Sequence, residues 1–321
     1  MAQVKAEELR ACPDFYVRRW KKKVHRETLK LGREVNRIHR SYTPQLRAIA
    51  KKQGRNRGKQ YVSIGNMFLD DVEQLTRKRI ATLDEYTTSE VLRIFDLMLP
   101  KGMGPIGSPP ARDFWRVEFK GMTANERLAR LRNKIAKKMR AIPSRLMKEA
   151  VLEEEEYATN AWSMARSYVE SQATSNMWLA EMLRYVDGFN YQNAEQDVIS
   201  HYEHLATLDE LTCGECAALD GSIIDVGLPG MGDYEAQAWS QVNIHPRCRC
   251  VPTPVTKTWK ELGFDIDEPP QGTRIARPYY PQTGPQGGRI WGKSSPGDKS
   301  VQGYVPADIR YKDWEKMKGR I

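Results

Sequence analysis

The chain has 321 residues, of which 40% are hydrophobic and 29% are charged, and its formal net charge is +10. That length suffices for at least one sizeable core and favours two domains. No run of roughly 18 or more apolar residues occurs, which argues against a membrane-spanning helix, and the polar first residues do not resemble a signal peptide. We therefore expect folding in a reducing cytosol, where clustered cysteines are more often metal ligands than disulfides.

The positive charge is concentrated at the start of the chain. Residues 1–60 contain 18 Lys/Arg and 5 Asp/Glu, a net charge of +13, so the remaining residues together carry −3. A basic segment on a nearly neutral body is typical of a protein that meets nucleic acid, although a solvated helix facing an acidic protein has the same composition. The candidate nucleic-acid contacts are Arg18, Arg19, Lys21, Lys22, Lys23, Arg26, Arg55 and Arg57.

The first 188 residues are predicted to be mostly helical. Residues 4–58 are rich in Ala, Leu, Arg, Lys and Glu, with Pro13 and Pro44 as expected breaks. A second helical pattern covers 67–99 and ends in a turn-rich segment with several Gly and Pro.

A further helical pattern begins near Thr123, where Thr-Ala-Asn-Glu has the spacing of a capping box. Pro143 is expected to interrupt it, and the next helix is expected to stop at Gly188. The patterns up to this point predict about five to seven helices and little strand.

The sequence changes in character after the helical region. Residues 202–209 are short enough for a strand, and 222–257 combine Gly, Pro and β-branched residues as in a small α+β module. Residues 260–310 are rich in Pro and Gly and lack the periodicity of a packed element, so we expect an extended segment that orders on a partner. A last short helix is predicted at 309–317.

Four of the five cysteines lie in two short motifs, Cys213-x-x-Cys216 and His245-x-x-Cys248-x-Cys250. Zinc prefers four thiolate or imidazole ligands in a tetrahedron, and a two-residue gap lets both sulfurs of one knuckle reach one ion. We predict a structural zinc site whose ligands come from these five residues, of which four suffice. Such a site supplies on the order of 10–16 kcal/mol of apparent binding free energy, which a small module otherwise lacks.

The local sequence also predicts how the first motif is held. Thr212 and Glu215 stand at capping-box spacing, which predicts a short helix from Thr212 to near Gly221. Cys213 and Cys216 would then lie in its first turn, where the free amides stabilise thiolates.

Other interpretations of the cysteines remain open. A disulfide fits a cytosolic chain poorly, and a redox Cys-x-x-Cys needs a thioredoxin-like context. A cysteine nucleophile, or a nuclease using His245, His204 and a metal, would make the chain a hydrolase. His201-Tyr-Glu203 followed by Cys-x-x-Cys imitates a zinc deaminase, but the gap is too short and Thr212 stands where that motif has proline.

The joint motif resembles the Mu F-like head morphogenesis family of tailed phages, also called minor head or minor capsid proteins. That family shows A-T-x-D-x-x-T-C-x-x-C-x-x-L-D-G and then H-P-x-C-R-C. The matching positions here are Ala206, Thr207, Asp209, Thr212, Cys213, Cys216, Leu219, Asp220, Gly221, His245, Pro246, Cys248, Arg249 and Cys250. The stretch ARSYVESQATSN and the ending YVPADIRYKDWEKMKG are also similar to that family, so the likeness covers roughly 160–255 and, more loosely, 304–316. The spacer between the two cysteine clusters is longer here.

The resemblance implies a minor capsid protein of the virion that acts in head morphogenesis. Its expected partners are the portal protein, other capsid proteins and packaged double-stranded DNA, with no membrane association and no enzymatic activity. Its expected location is the head interior near the portal, after assembly in the host cytoplasm. The alternatives are a zinc-ribbon nucleic-acid-binding protein, with Arg247 and Arg249 as contacts, and a thiol- or metal-dependent hydrolase. Aromatic anchors of the tail on a neighbouring subunit are predicted to be Tyr279, Tyr280, Trp291, Tyr304, Tyr311 and Trp314.

Together these patterns predict a mainly α fold: a helical N-terminal half followed by a small α+β metal-knuckle module and an extended Pro/Gly-rich C-terminal tail. The predicted parts are a basic helical arm at 1–60, a helical region at 61–190, the Mu F-like cysteine-cluster module at 191–258, and the tail with its short C-terminal helix at 259–321.

Overall fold

The computed structural model describes residues 13–51, 56–100, 102–110, 113–119, 121–145, 151–208, 212–224, 250–265, 273–276, 281–283, 289–291, 303–306 and 309–318. The mainly helical fold with a small sheet is confirmed. In these residues the α-helices are α1 (Pro13–Ala50), α2 (Arg57–Met98), α3 (Ala124–Arg145), α4 (Val151–Gln196), α5 (Gly214–Leu219) and α6 (Tyr311–Lys318), with a 3₁₀ turn at Phe114–Arg116.

The strands are short and antiparallel. They are β1 (Glu118–Phe119), β2 (Met122–Thr123), β3 (Ile199–Leu205), β4 (Ile223–Ile224), β5 (Val251–Thr256), β6 (Thr273–Ala276), β7 (Pro281–Thr283), β8 (Arg289–Trp291) and β9 (Gly303–Pro306). β3 is the centre of a three-stranded sheet of order β4-β3-β5, while β1 pairs with β2, β6 with β9 and β7 with β8.

The chain divides into two compact units. One, the bundle unit, consists of Lys22–Thr87 and Ala111–Arg184, and the other, the mixed unit, consists of Met1–Lys21, Thr88–Pro110 and Tyr185–Ile321. α1, α2 and α4 each contribute residues to both units. The four-part division expected from the sequence stays a prediction.

The bundle unit is held by apolar residues that recur at helical spacing. On α1 the buried positions Leu31, Val35 and Leu46 share one face, and they join buried side chains of α2, α3 and α4 in one core cluster. His39 lies in this core, stacked on the Trp162 ring with ring centroids 4.7 Å apart, and its Nε2 donates to the Trp162 carbonyl oxygen at 3.2 Å. Burial lowers the pKa of His39 to about 4, so the ring is neutral near pH 7.

Helices among the described residues run through positions where the sequence predicts breaks. Pro44 and Pro143 lie inside α1 and α3, and α4 continues through Gly188 to Gln196, so these three predicted breaks are wrong. In a helix interior proline costs about 3 kcal/mol or more and glycine about 1 kcal/mol, and the burial of a long apolar face offsets these costs. The described residues up to position 188 hold four long helices and one 3₁₀ turn, while the predicted count of five to seven also covered residues outside the described ones.

The capping box predicted at Thr123 is confirmed at the start of α3. The Glu126 amide donates to Thr123 Oγ1 at 3.1 Å, and the Thr123 amide donates to Glu126 Oε2 at 2.7 Å. Two amides that the helix itself leaves without acceptors are thereby satisfied.

In the core of the mixed unit, aromatic side chains from α1, α2 and α4 pack together. Trp20 stacks on Tyr185 with centroids 4.4 Å apart, and Phe189 contacts both Tyr185 and Phe95. The last turn of α4 leads directly into the sheet, because Asn193 Oδ1 accepts the amide of Ile199, the first residue of β3, at 2.6 Å.

Candidate metal centre

Strand β3 directs His204 into the interior of the mixed unit. Its antiparallel pairing with β5 places Leu205 opposite Val251, so the end of β3 lies beside the start of β5, which Cys250 immediately precedes. Side chains alternate along a strand, and Tyr202, His204 and then Ala206 are buried on one side. The imidazole of His204 is only 1% exposed.

Helix α5 brings Cys216 to the same place. Cys213 is the N-cap of this helix, and its Sγ accepts the Cys216 amide at 3.4 Å. The predicted start at Thr212 is therefore wrong: the Thr212 hydroxyl donates to the Thr207 carbonyl oxygen and leaves the cap position to the next residue. Glu215 does lie in the first turn, as expected.

His204, Cys216 and Cys250 form one buried group. An imidazole nitrogen and the two Sγ atoms all lie within 4.8 Å of one another. The ligand atoms of a tetrahedral zinc ion are roughly 3.5–3.8 Å apart, because the bonds from the ion to its ligands are near 2.0–2.3 Å. The three atoms here are therefore close to the spacing at which one ion could bind all of them. Ala206 belongs to the same buried cluster as the two cysteines, and Cys213 packs against that cluster. The group could hold a metal ion, and its nitrogen and sulfur donors suit zinc.

Three of the five residues predicted as metal ligands are among the described residues. The structure brings Cys216 and Cys250 together and places Cys213 against them, while His245 and Cys248 lie outside the described residues. His204 was considered only for the nuclease alternative and was absent from the predicted structural zinc set, although the alternation Tyr-x-His-x-Ala at the end of a predicted strand pointed to an inward imidazole.

Asp220 and Gly221 of the Leu-Asp-Gly segment join the ends of the elements around this group. Asp220 Oδ1 accepts the Ala206 amide at 2.8 Å, and its Oδ2 accepts the Tyr311 amide at 2.7 Å. Gly221 has a φ of +82°, a conformation that favours glycine, and a Cβ there would displace the Arg310 guanidinium from its present position. The motif thus carries structural contacts as well as candidate ligands.

Helix α6 folds back onto the cysteine-cluster module. Tyr311 and Trp314 are buried and pack with Leu208, so two of the aromatic residues predicted to anchor the tail on a neighbour pack instead within their own unit. The short C-terminal helix itself is confirmed at Tyr311–Lys318. The other predicted anchors have no described side chains.

Specific contacts in the structure bear on the other interpretations of the cysteines. Glu203, the acid of the deaminase-like segment, forms an ion pair with Arg310 at 2.9 Å and points away from the face that carries His204. His201 lies beside Glu203, with Nε2 3.7 Å from Oε1, and is likewise outside the buried group. The three described cysteines Cys213, Cys216 and Cys250 are not joined to one another by a disulfide.

Three of the candidate nucleic-acid contacts interact with other side chains of the protein. Arg19 pairs with Glu90 at 3.2 Å, Lys21 donates to Thr207 Oγ1 at 2.9 Å, and Lys23 lies 3.6 Å from Glu27. Among the remaining predicted contacts, Lys22 and Arg26 are exposed on α1, Arg18 is also in α1, Arg57 begins α2, and Arg55 lies outside the described residues.

No family model matches the chain, and comparison with curated proteins and with solved structures returned no match. Among the helices described here, none is both long and apolar enough to cross a membrane.

Proposed function

We propose that this chain is a minor head protein of a tailed phage, acting in head morphogenesis at the portal vertex with a structural zinc ion. One observation carries the proposal: the joint motif T-C-x-x-C-x-x-L-D-G and H-P-x-C-R-C. Cys216 comes from the first half of that motif and Cys250 from the second, and they meet in one buried group. A structural role for the motif is supported by Asp220, which links two other elements by hydrogen bonds.

The proposed zinc would act as a cross-link. His204 is at the end of β3, Cys216 is in α5 and Cys250 precedes β5, so an ion bound to all three would tie these elements together. A further thiolate or imidazole from the motif would complete the tetrahedron. Thiolate ligands must lose their protons, so the affinity for zinc would fall at acidic pH.

The proposed partners are the portal protein, other capsid proteins and packaged double-stranded DNA. The basic start of the chain, with its net +13 over residues 1–60, suits the polyanionic interior of a filled head. The proposed location is the head interior near the portal, reached after assembly in the host cytoplasm.

Native mass spectrometry of the chain co-expressed with the portal protein of the same phage tests both parts of the proposal. We expect a portal complex that carries about one zinc per copy of this chain. A chain that stays free of the portal would contradict the assembly role. A metal-free chain lighter by paired thiol hydrogens would contradict the zinc site and indicate disulfides instead.

A further inference from the structure

A stripe of cations runs along the exposed side of α1 within the bundle unit. It consists of Lys22, Arg26, Arg33, Arg37 and Arg40, all exposed, and we refer to it as the α1 stripe. At 100° per residue these five positions fall within about 60° of one another around the helix, and at 1.5 Å per residue they span about 27 Å. They therefore form one straight row rather than a scatter of charges.

No carboxylate interrupts this row. From residue 19 to 50, the exposed residues of α1 include no Asp or Glu. Glu27 is buried and pairs with Lys30 at 2.7 Å and Arg79 at 3.0 Å, while Glu34 pairs with Arg79 at 2.5 Å. The two acids of this part of α1 are thus paired with cations that do not belong to the stripe, so neither of them cancels its charge.

The composition of the exposed face favours a phosphate backbone over an acidic protein as the partner. Protein interfaces are depleted of charge at their centre and enriched in aromatic residues. Here the α1 face has one large exposed hydrophobic residue, Leu29, and otherwise Arg, Lys and small or polar residues. Duplex DNA presents a phosphate every 3.4 Å along each strand, so a row of about 27 Å matches the length of roughly eight base pairs.

We propose that the α1 stripe binds the phosphate backbone of double-stranded DNA without reading its sequence. The opposite side of α1 is buried in the bundle core at Leu31 and Val35, so the stripe lies on the face that α1 can present to a duplex. A row of Arg and Lys side chains suits contacts to phosphate oxygens, which position a protein on a duplex but carry no sequence information. The inference rests in part on the proposed function, because the packaged duplex would be the partner. It also moves the contact surface along the helix: of the contacts predicted from sequence, only Lys22 and Arg26 belong to the stripe.

A four-residue neutralisation tests the stripe against a matched control on another helix of the same unit. The test variant replaces Arg26, Arg33, Arg37 and Arg40 by Gln in the full chain. The control replaces four exposed cations of α3 by Gln, and these are Arg130, Lys134, Lys137 and Arg140. Both variants lose the same charge, so a difference between them reports position rather than net charge.

Fluorescence anisotropy with a labelled random-sequence duplex, titrated at several salt concentrations, gives the readout. We expect the test variant to reduce the slope of log affinity against log salt by about 3 to 4, since each lost phosphate contact removes about 0.9. The control variant should keep the parental slope. Equal slopes in the two variants would overturn the proposal, as would displacement of the duplex by poly-glutamate as readily as by unlabelled DNA.

Two further measurements keep the outcome interpretable. Circular dichroism and thermal melting establish that the variants are folded, and if the fourfold variant is not, the pairs Arg26/Arg33→Gln and Arg37/Arg40→Gln replace it, each expected to lower the slope by about half as much. Portal co-purification of the test variant separates this inference from the proposed function. If the test variant still binds the portal protein but has lost DNA binding, the result supports the stripe. If DNA binding depends on the stripe but neither the parent nor the variant binds the portal protein, the result supports the stripe and contradicts the phage role.

Discussion

Glu181 in α4 is a buried carboxyl group of the bundle unit, 1% exposed. Burial raises its pKa to about 8 from an ordinary value of 4.5, and the neighbouring Asp84 also raises it. A hydrogen bond from the Thr87 hydroxyl and the charge of Arg184, which pairs with Asp84 at 2.9 Å, both favour the charged form, but burial outweighs them. Near neutral pH the native state therefore holds a proton that the unfolded chain has released.

This proton makes the stability depend on pH. Between pH 4.5 and about 8 the native state binds more protons than the unfolded state, so the free energy of unfolding should fall as pH rises through that window and level off above it. Glu181→Gln keeps a neutral side chain at every pH and should remove this part of the slope, gaining on the order of 2–4 kcal/mol over the parent at pH 8. Urea unfolding from pH 5 to 9 measures it, and an unchanged slope in the variant would contradict the assignment.

His204 and His201 allow a matched test of the metal centre on one strand. His204 is buried within 4.8 Å of the two cysteine sulfurs, whereas His201 is half-buried beside Glu203 and outside that group. We expect His204→Ala to lose bound zinc and to lower the melting temperature, while His201→Ala keeps both. Zinc content by elemental analysis, with melting before and after chelation, gives the result. Full zinc occupancy in His204→Ala would exclude this imidazole as a ligand.

At the scale of elements, Gly188 has a packing role where local rules predicted a helix end. A Cβ at this position of α4 would lie 2.8 Å from Cγ1 of Val91 on α2, closer than real Cβ contacts come. Within the mixed unit this glycine therefore lets the two helices approach closely. A single glycine is the sequence signal both for a helix end and for a close contact between helices, and only the position of the partner helix distinguishes the two.

Gly188→Ala should consequently destabilise the chain even though alanine is the better helix former. Overpacking of this kind costs about 1–3 kcal/mol, more than the roughly 1 kcal/mol that alanine gains from helix propensity. The double variant Gly188→Ala with Val91→Ala should recover part of the loss because it removes the colliding methyl group. Denaturant unfolding of the parent, both single variants and the double variant measures the coupling. A stabilised Gly188→Ala single variant would contradict the packing role.

At the scale of the whole molecule, the candidate metal ligands and the exposed row of cations lie in different units. The mixed unit contains the buried group of His204, Cys216 and Cys250, while the α1 stripe belongs to the bundle unit. The mixed unit also takes in α6, since Tyr311 and Trp314 are buried against Leu208. Helix α6 thus packs on the module that contains the candidate metal centre, whereas Tyr311 and Trp314 were predicted to anchor the tail on a neighbouring subunit.

The sequence by itself determined the features that depend on neighbours within a turn or two. These are the helical content, the capping box at Thr123, the basic start of the chain, and the two cysteine motifs, because helix periodicity, capping and knuckle spacing are local. Cys213 as the N-cap, in place of Thr212, is a one-residue error of the kind expected at helix ends.

Only the tertiary structure decided which distant residues meet. His204 joins Cys216 and Cys250 because strand register aligns β3 with β5, and that register depends on contacts across many residues. Burial likewise carries α1 through Pro44 and α4 through Gly188, where local propensity predicts a break. The partners of the α1 cations also depend on the fold: Arg19, Lys23 and Lys30 reach acidic side chains, whereas the α1 stripe lies on the face opposite the core.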